Sequence, residues 1–138
     1  MKKFSFAGAP LILIPLISGT WLFSQGDTGK ETTDREHAVR VFIDCDHCDM
    51  NYIREQIPYV NYVRDVKEAQ VYVLETREST GSGGRKYTYI FLGQEEFLGL
   101  NDTLEYACRP DDSTDYIRTW RTQMLKMGLM RYVARTPL

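Results

Sequence analysis

Residues 39–58 constrain the fold more than any other stretch, because they read as one strand, one tight turn and one helix. Apolar residues at positions 39, 41 and 43 alternate with a more polar set, which is the period of a strand with one buried face. Asp49 is a suitable helix N-cap, and Met50, Ile53 and Ile57 then fall on one helical face. Pro58 prevents the helix from continuing. The rest of the chain is predicted to pack against this unit.

The turn between that strand and that helix is Cys45-Asp46-His47-Cys48. A Cys-x-x-Cys turn at a helix N-terminus is typical of thiol–disulfide oxidoreductases, because the positive end of the helix dipole stabilises a thiolate and His47 adds to that effect. Three features argue against this chemistry. No aromatic residue precedes Cys45, no βαβ crossover is evident, and Asp49 places a negative charge beside Cys48. Oxidoreductase activity is therefore the alternative interpretation.

A metal site in the same turn is a second alternative. Structural zinc usually takes its ligands from two separate segments, whereas most of the candidates here lie in one turn. The sequence therefore predicts no metal and no other cofactor. The candidate ligands are Cys45, His47, Cys48 and either Asp44 or Asp46 in the turn, with His37 and Cys108 elsewhere.

The three cysteines allow at most one internal disulfide. A Cys45–Cys48 bridge closes a very small ring and contributes about 2 kcal/mol, whereas a bridge from either cysteine to Cys108 contributes about 4 kcal/mol. Loop entropy favours the long bridge and proximity during oxidation favours the short one, so the pairing stays open. A structural role for these cysteines is the main interpretation.

The N-terminus has the pattern of a secretory signal peptide over residues 1–24, with two lysines followed by an apolar run and a small-residue cleavage site. An uncleaved membrane anchor is the alternative. A polar leader over residues 25–36 and a single domain over residues 37–138 follow. Removal of the first 24 residues leaves 15 basic and 19 acidic residues without a long basic run, which argues against nucleic-acid binding.

Four further strands and a closing helix are predicted after the first helix. The strands lie at residues 58–65, 70–76, 86–92 and 103–108, with a turn at 67–69, a flexible Gly-rich hairpin loop at 80–84 and a short edge piece at 96–98. The order β-α-β-β-β-β-α predicts a two-layer α/β sandwich. Its sheet is mixed, mostly antiparallel, and has four or five strands.

The closing helix is predicted over residues 113–134, with Asp112 as its N-cap. Its apolar stripe is predicted to face the sheet, and Trp120→Ala is accordingly expected to cost about 3–5 kcal/mol. The residues of this stripe are Ile117, Trp120, Met124 and Met127, broadened by Leu125, Leu129, Tyr132 and Val133. The tyrosines of the sheet (Tyr59, Tyr62, Tyr72, Tyr87, Tyr89 and Tyr106) are expected to be half-buried, or to face a partner where they are exposed.

Three segments carry a resemblance to known proteins: DCDHCDMNYIREQIPYVNYVRDVKEAQVYVLET, GSGGRKYTYIFLGQEEFLGLNDTLEY and LMRYVARTPL. Over residues 38–138 the chain resembles the N-terminal region of a group of exported bacterial envelope proteins without a settled activity, in which a region like an outer-membrane barrel follows. Its topology also resembles the N-terminal domain of TolB and the periplasmic domain of CsgG-type proteins. The resemblance implies a periplasmic or outer-membrane location and protein partners.

These observations together predict a non-catalytic envelope module that binds another envelope protein or a barrel-like region. No serine nucleophile elbow, carboxylate pair or dinucleotide glycine pattern is present in the sequence. Self-association is a further expectation, and membrane contact is expected only through a partner. The predicted partner edge is the short strand after the first helix, where Tyr59, Asn61, Tyr62 and Arg64 lie.

Overall fold

The computed structural model describes residues 36–137, so the predicted signal peptide and nearly all of the leader lie outside the described residues. Five strands and two helices follow one another along this part of the chain. They are β1 (Arg40–Asp44), α1 (Met50–Gln56), β2 (Asn61–Tyr62), β3 (Val71–Ser79), β4 (Arg85–Gly93), β5 (Asp102–Cys108) and α2 (Thr114–Val133).

The strands form one mixed sheet in the order β2-β1-β3-β4-β5. β1 runs parallel to both β2 and β3, whereas the β3–β4 and β4–β5 pairs are antiparallel. The predicted fold class is therefore confirmed: five strands and two helices form an α+β fold in the expected order.

A parallel βαβ crossover is present, and the expectation that it would be absent was wrong. β1, α1 and β2 form this unit, with the Asn61 N–H donating to the Val39 carbonyl at 2.8 Å and the Val63 N–H donating to the Val41 carbonyl at 3.0 Å. β2 has only two residues, which is too short for an alternating pattern to identify its direction.

The core lies on one side of the sheet, where both helices pack. Tyr87, Tyr89 and Phe91 of β4 point to the helices and are almost fully buried, so the half-burial expected for the two tyrosines was wrong. Leu125 and Leu129 of α2 pack against this face of the sheet. Alternation at positions 39 and 41 did identify the buried face at the start of the sheet, since both valines are almost fully buried.

Two local predictions were wrong, whereas the turn predicted at 67–69 is confirmed as a 3-10 turn, Val66–Glu68. The expected edge piece at 96–98 is a 3-10 turn, Glu95–Phe97, because Phe97 turns inward and packs edge-on against Tyr132 at 5.4 Å between ring centroids. The N-cap of α2 is Ser113, whose hydroxyl accepts the Tyr116 N–H at 3.2 Å, whereas the Asp112 carboxylate accepts the Arg109 N–H at 2.8 Å.

The predicted apolar stripe of α2 was only partly correct. Trp120 is 37% exposed and Met127 is 44% exposed, so neither is a core residue. The helix instead turns Leu125, Gly128 and Tyr132 towards the sheet, in line with Arg121 at the i, i+4, i+7 and i+11 positions. Leu125 and Tyr132 were predicted to face the sheet, whereas Arg121 was left out because it is charged.

Candidate functional site

The cysteine loop joins β1 to α1 and contains a disulfide between Cys45 and Cys48, whose Cα atoms are 5.9 Å apart. Cys108 is a buried free cysteine on β5. β3 and β4 separate β1 from β5, so β1 and β5 are about 14 Å apart at normal strand spacing. That separation is far beyond the reach of a disulfide, which explains why the short bridge forms and the long one does not.

His47 and Asp49 shape the loop on either side of Cys48. His47 is exposed and has a left-handed backbone with φ of 60°, a conformation that a non-glycine residue adopts at some energetic cost. Asp49 caps α1, because its carboxylate accepts the Tyr52 N–H at 3.0 Å. The N-cap role predicted for Asp49 is therefore confirmed.

An ion pair between Glu75 and Arg121 lies beneath this loop. Glu75 is on the helix-facing side of β3 with a side chain only 3% exposed, and the Arg121 side chain is 17% exposed. Arg121 Nε donates to Glu75 Oε2 at 3.3 Å, and Arg121 Nη2 donates to the other carboxylate oxygen. The guanidinium also lies over the Tyr87 ring, 4.9 Å from its centroid. Two charges removed from water in this way stabilise each other, and either one alone would be costly.

Arg121 also holds the cysteine loop. Its Nη1 donates to the His47 carbonyl at 3.3 Å and its Nη2 donates to Cys48 Sγ at 3.3 Å, while Glu75 Oε2 lies 3.9 Å from the same sulfur. Beside Cys48 and Arg121 is a cavity of about 10 Å³, enough for a single water. In the disulfide the sulfur only accepts; after reduction, a Cys48 thiolate would accept from Arg121, whereas a thiol would donate to Glu75.

Burial shifts the ionisation of this cluster. Burial opposes the charged form of Arg121, but the hydrogen bond and the charge of Glu75 outweigh it and raise the pKa of Arg121. Burial, reinforced by the nearby Glu75 carboxylate, strongly raises the pKa of Tyr89. No partner within residues 36–137 meets hydrogen-bond geometry for the Tyr89 hydroxyl. Arg121 therefore stays charged, and Tyr89 stays neutral, at physiological pH.

Within residues 36–137 no helix packs on the other face of the sheet, which has an apolar centre and which we call the open sheet face. Its residues alternate with those of the core along β1, β3 and β4, and each is half-buried. Phe42 and Tyr72 stack across neighbouring strands with ring centroids 5.8 Å apart. The members of the open sheet face are Phe42, Tyr72, Leu74, Ile90 and Leu92.

The predicted partner edge is at an edge of the sheet, since β2 is the outermost strand beside β1. Its tyrosines, however, serve the fold: Tyr59 packs against the core, and the Tyr62 hydroxyl donates to the Ile57 carbonyl at 2.9 Å. The Asn61 side chain donates to the Ala38 carbonyl at 3.3 Å, whereas Arg64 is exposed. A role for these residues in binding stays a prediction.

The candidate metal ligands do not form a metal site in this state. Cys45 and Cys48 are joined to each other, so neither offers a thiolate. Within residues 36–137, His, Cys, Asp and Glu side chains form no group of three that could hold a metal ion. In the same range, neither helix has the length and apolar character needed to span a membrane.

Sequence reasoning missed Glu75 and Arg121, although signals for both exist. Glu75 follows Val71 and Val73 at the spacing that places it on the buried face of β3. Arg121 precedes Leu125 by one helical turn. An acid and a base on two predicted buried faces are the pattern of an internal ion pair.

No protein-family model matches this chain, and no curated protein matches it. Function is therefore inferred from features of the chain itself, namely the cysteine loop with its buried ion pair, and the open sheet face.

Proposed function

We propose that this chain is an exported, non-catalytic module of the cell envelope that binds another protein through its open sheet face. One observation carries the proposal: β1, β3 and β4 are apolar on both faces at the centre of the sheet, and the helices of the described part of the chain cover only one of them. A sheet with one solvated face normally has polar residues there, whereas apolar residues on both faces are typical of a sheet that is covered twice. The predicted signal peptide supports export.

The surroundings of the open sheet face support the same proposal. Charged pairs lie at its margin, with Arg40 contacting Glu95 at 2.6 Å and Lys86 contacting Glu105 at 3.4 Å. An apolar centre within a polar rim is the usual composition of a protein interface. The occupant we propose is an apolar surface of a different envelope protein.

A charge at the centre of this face tests the proposal. Ile90→Lys places a cation in the apolar centre, and Gln123→Lys, at an exposed position of α2, is a control with the same added charge. Sedimentation of the native complex from the source cell is expected to show loss of the complex for Ile90→Lys and an intact complex for Gln123→Lys. If both variants sediment like the parent chain while remaining folded, the open sheet face does not bind the partner.

Thiol–disulfide exchange is a second candidate function, and the contact between Arg121 and Cys48 favours it. In this reaction a substrate thiolate attacks Cys45 Sγ, a mixed disulfide forms and Cys48 leaves as a thiolate, which the guanidinium at 3.3 Å stabilises. The second thiolate of the substrate then attacks the substrate sulfur of the mixed disulfide, and Cys45 leaves as a thiolate. The substrate dithiol is oxidised, and the Cys45–Cys48 disulfide is reduced by two electrons.

A redox titration of the full chain with thiol labelling separates these two functions. A Cys45–Cys48 couple more oxidising than about −250 mV favours exchange chemistry, and one below about −300 mV indicates a structural bond. Arg121→Gln provides the second measurement, because it is expected to lower the potential if the guanidinium stabilises the reduced form. An unchanged potential would remove the reason for this second candidate.

A further inference from the structure

A strongly basic cleft lies at the end of the β3–β4 hairpin, where α2 begins. Four guanidinium groups line it: Arg77 from β3, Arg85 from β4, and Arg118 and Arg121 from α2. The cleft has a volume of about 300 Å³, which is the size of a small-ligand pocket. We call it the arginine cleft. It lies on the helix side of the sheet, away from the open sheet face.

Two of these four charges are neutralised within the protein. Arg121 is paired with Glu75, and Arg118 contacts Asp49 at 3.4 Å and Asp115 at 3.0 Å. These contacts fix the two α2 side chains in place, and Arg118 also lies over the Tyr52 ring at 4.5 Å from its centroid. Two of the four arginine side chains are therefore held in position before any ligand binds, which lowers the conformational entropy lost on binding.

The other two arginines have no ion-pair partner among the described residues. Neither Arg77 nor Arg85 forms an ion pair within residues 36–137. Asp49 is the one carboxylate among the described residues that lines the cleft. Asp44 and Asp46 share a neighbouring hollow with Arg77, and Asp112 shares another with Arg85, but none of these carboxylates forms an ion pair with either arginine. Within residues 36–137, Arg77 and Arg85 are therefore the two cleft arginines without an ion-pair partner.

The start of α2 adds to this field. Thr114, the first residue of this 20-residue helix, lines the cleft, and the positive end of the helix dipole lies there. A second hollow of about 180 Å³ adjoins the cleft and shares Arg85, Thr114 and Ile117 with it. This hollow offers space for the remainder of a ligand whose anionic group lies in the cleft.

From this arrangement we infer that the arginine cleft binds the dianionic phosphate of a phosphate monoester, with Arg77 and Arg85 as its principal ligands. A phosphate monoester carries close to two negative charges at neutral pH and matches the two unpaired guanidinium groups. Its three terminal oxygens suit the planar donor pairs of arginine, which bind oxyanions in a bidentate manner. A carboxylate, with one charge and two oxygens, satisfies only half of the site. This function is additional to the proposed protein binding and does not depend on it.

Titration of the full chain with inorganic phosphate, followed by calorimetry and by phosphorus NMR, tests the inference. The double variant Arg77→Gln/Arg85→Gln is expected to weaken phosphate binding at least about tenfold, because two charge-assisted contacts are lost. Arg64→Gln is the control, since it removes one exposed charge at a residue that does not line the cleft, and it is expected to change the affinity less than about twofold. Arg77 and Arg85 are both exposed, so the thermal midpoint of the double variant should match that of the parent chain.

A variant that is expected to tighten phosphate binding provides a second test. Asp49→Asn removes the carboxylate from the cleft while keeping a good helix N-cap, and it is expected to tighten phosphate binding about threefold. Acetate at equal ionic strength is expected to bind at least about tenfold more weakly than phosphate. Equal binding of acetate and phosphate, no saturable binding, or a double variant that binds like the parent chain would each overturn the inference.

The source of the phosphate is distinguished with two further probes. Phosphoserine represents a soluble monoester, and vesicles that contain phosphatidic acid represent a lipid headgroup. Binding of either probe that the double variant loses supports the inference and identifies the source. If only an acidic peptide without phosphate binds, the site recognises carboxylates and the inference is wrong.

Discussion

Arg121 donates from the same nitrogen, Nη2, to a carboxylate oxygen of Glu75 and to Cys48 Sγ, the latter at 3.3 Å. The buried ion pair and the disulfide loop are therefore one hydrogen-bonded unit. A change in either part is expected to be felt by the other, because the protein interior transmits such changes with little relaxation.

Removal of Arg121 should destabilise the fold strongly. Arg121→Met leaves the Glu75 carboxylate, whose side chain is 3% exposed, without its cation, and should cost about 3–5 kcal/mol in urea unfolding. The double variant Glu75→Met/Arg121→Met should recover most of that loss, because no buried charge remains. If the double variant loses as much stability as Glu75→Met and Arg121→Met lose together when measured separately, the ion pair is not the source of the effect.

Gly128 should not tolerate a side chain. A Cβ atom at this position would lie 2.1 Å from the Phe91 ring, which is fully buried, so the ring or the helix would have to shift. Gly128→Ala should therefore cost about 1–3 kcal/mol in spite of the higher helix propensity of alanine. Phe91→Leu combined with Gly128→Ala should be more stable than the two separate losses predict, and thermal unfolding of all three variants checks this. Simple additivity would mean that the ring and the added methyl group do not meet.

Trp120 should contribute less than a core residue. It stacks on Tyr106 with ring centroids 5.8 Å apart and is 37% exposed, so Trp120→Ala should cost about 1–2 kcal/mol. Leu129→Ala, at a fully buried position, should cost about 2–5 kcal/mol. Urea unfolding of both variants gives the comparison. An equal loss would show that the tryptophan carries as much of the core as Leu129.

The Asp102–Arg131 pair should contribute to stability only above acidic pH. The hydrogen bond from Arg131, 2.7 Å away, lowers the pKa of Asp102 from its ordinary value of 3.8. Because the folded-state pKa is below the unfolded one, the stabilisation is present above about pH 4 and is lost as the pH falls through the folded-state pKa. The pair is solvent-screened, so its contribution should stay below about 1 kcal/mol.

Thermal midpoints of the parent chain and of Arg131→Gln across this pH range check that sign. The difference between them should be largest near neutral pH and should shrink towards zero as the pH falls through the folded-state pKa of Asp102. A difference that stays constant down to acid pH would assign the contribution of Arg131 to its contact with the Asn101 carbonyl instead.

Alternation and capping residues in the sequence predicted the strands, the two helices and the buried face of β1. They failed where a polar residue lies on a buried face, as for Arg121, since a pattern search treats charge as a sign of solvent exposure. For that reason the stripe of α2 was centred too close to Trp120 and Met127, although Leu125, Leu129 and Tyr132 were placed correctly. The direction of β2 was missed because parallel pairing over two residues leaves no local signal.

The candidate sites depended even more on tertiary contacts. The cysteine turn was visible in the sequence, but the guanidinium beside Cys48 comes from 73 residues further along the chain. The open sheet face and the arginine cleft each draw residues from at least three elements. Only the order of strands in the sheet brings those residues together, and local patterns do not determine that order.

Site-specific photocrosslinking of the full chain, in the cell that makes it, tests the proposed role of the open sheet face most directly. A photoreactive amino acid at Ile90 is compared with the same amino acid at Gln123, which is exposed on α2. We expect Ile90 to give one discrete adduct with a different protein and Gln123 to give none. No adduct at Ile90, equal adducts at both positions, or an adduct between two copies of this chain would contradict the proposal that the open sheet face binds a partner protein.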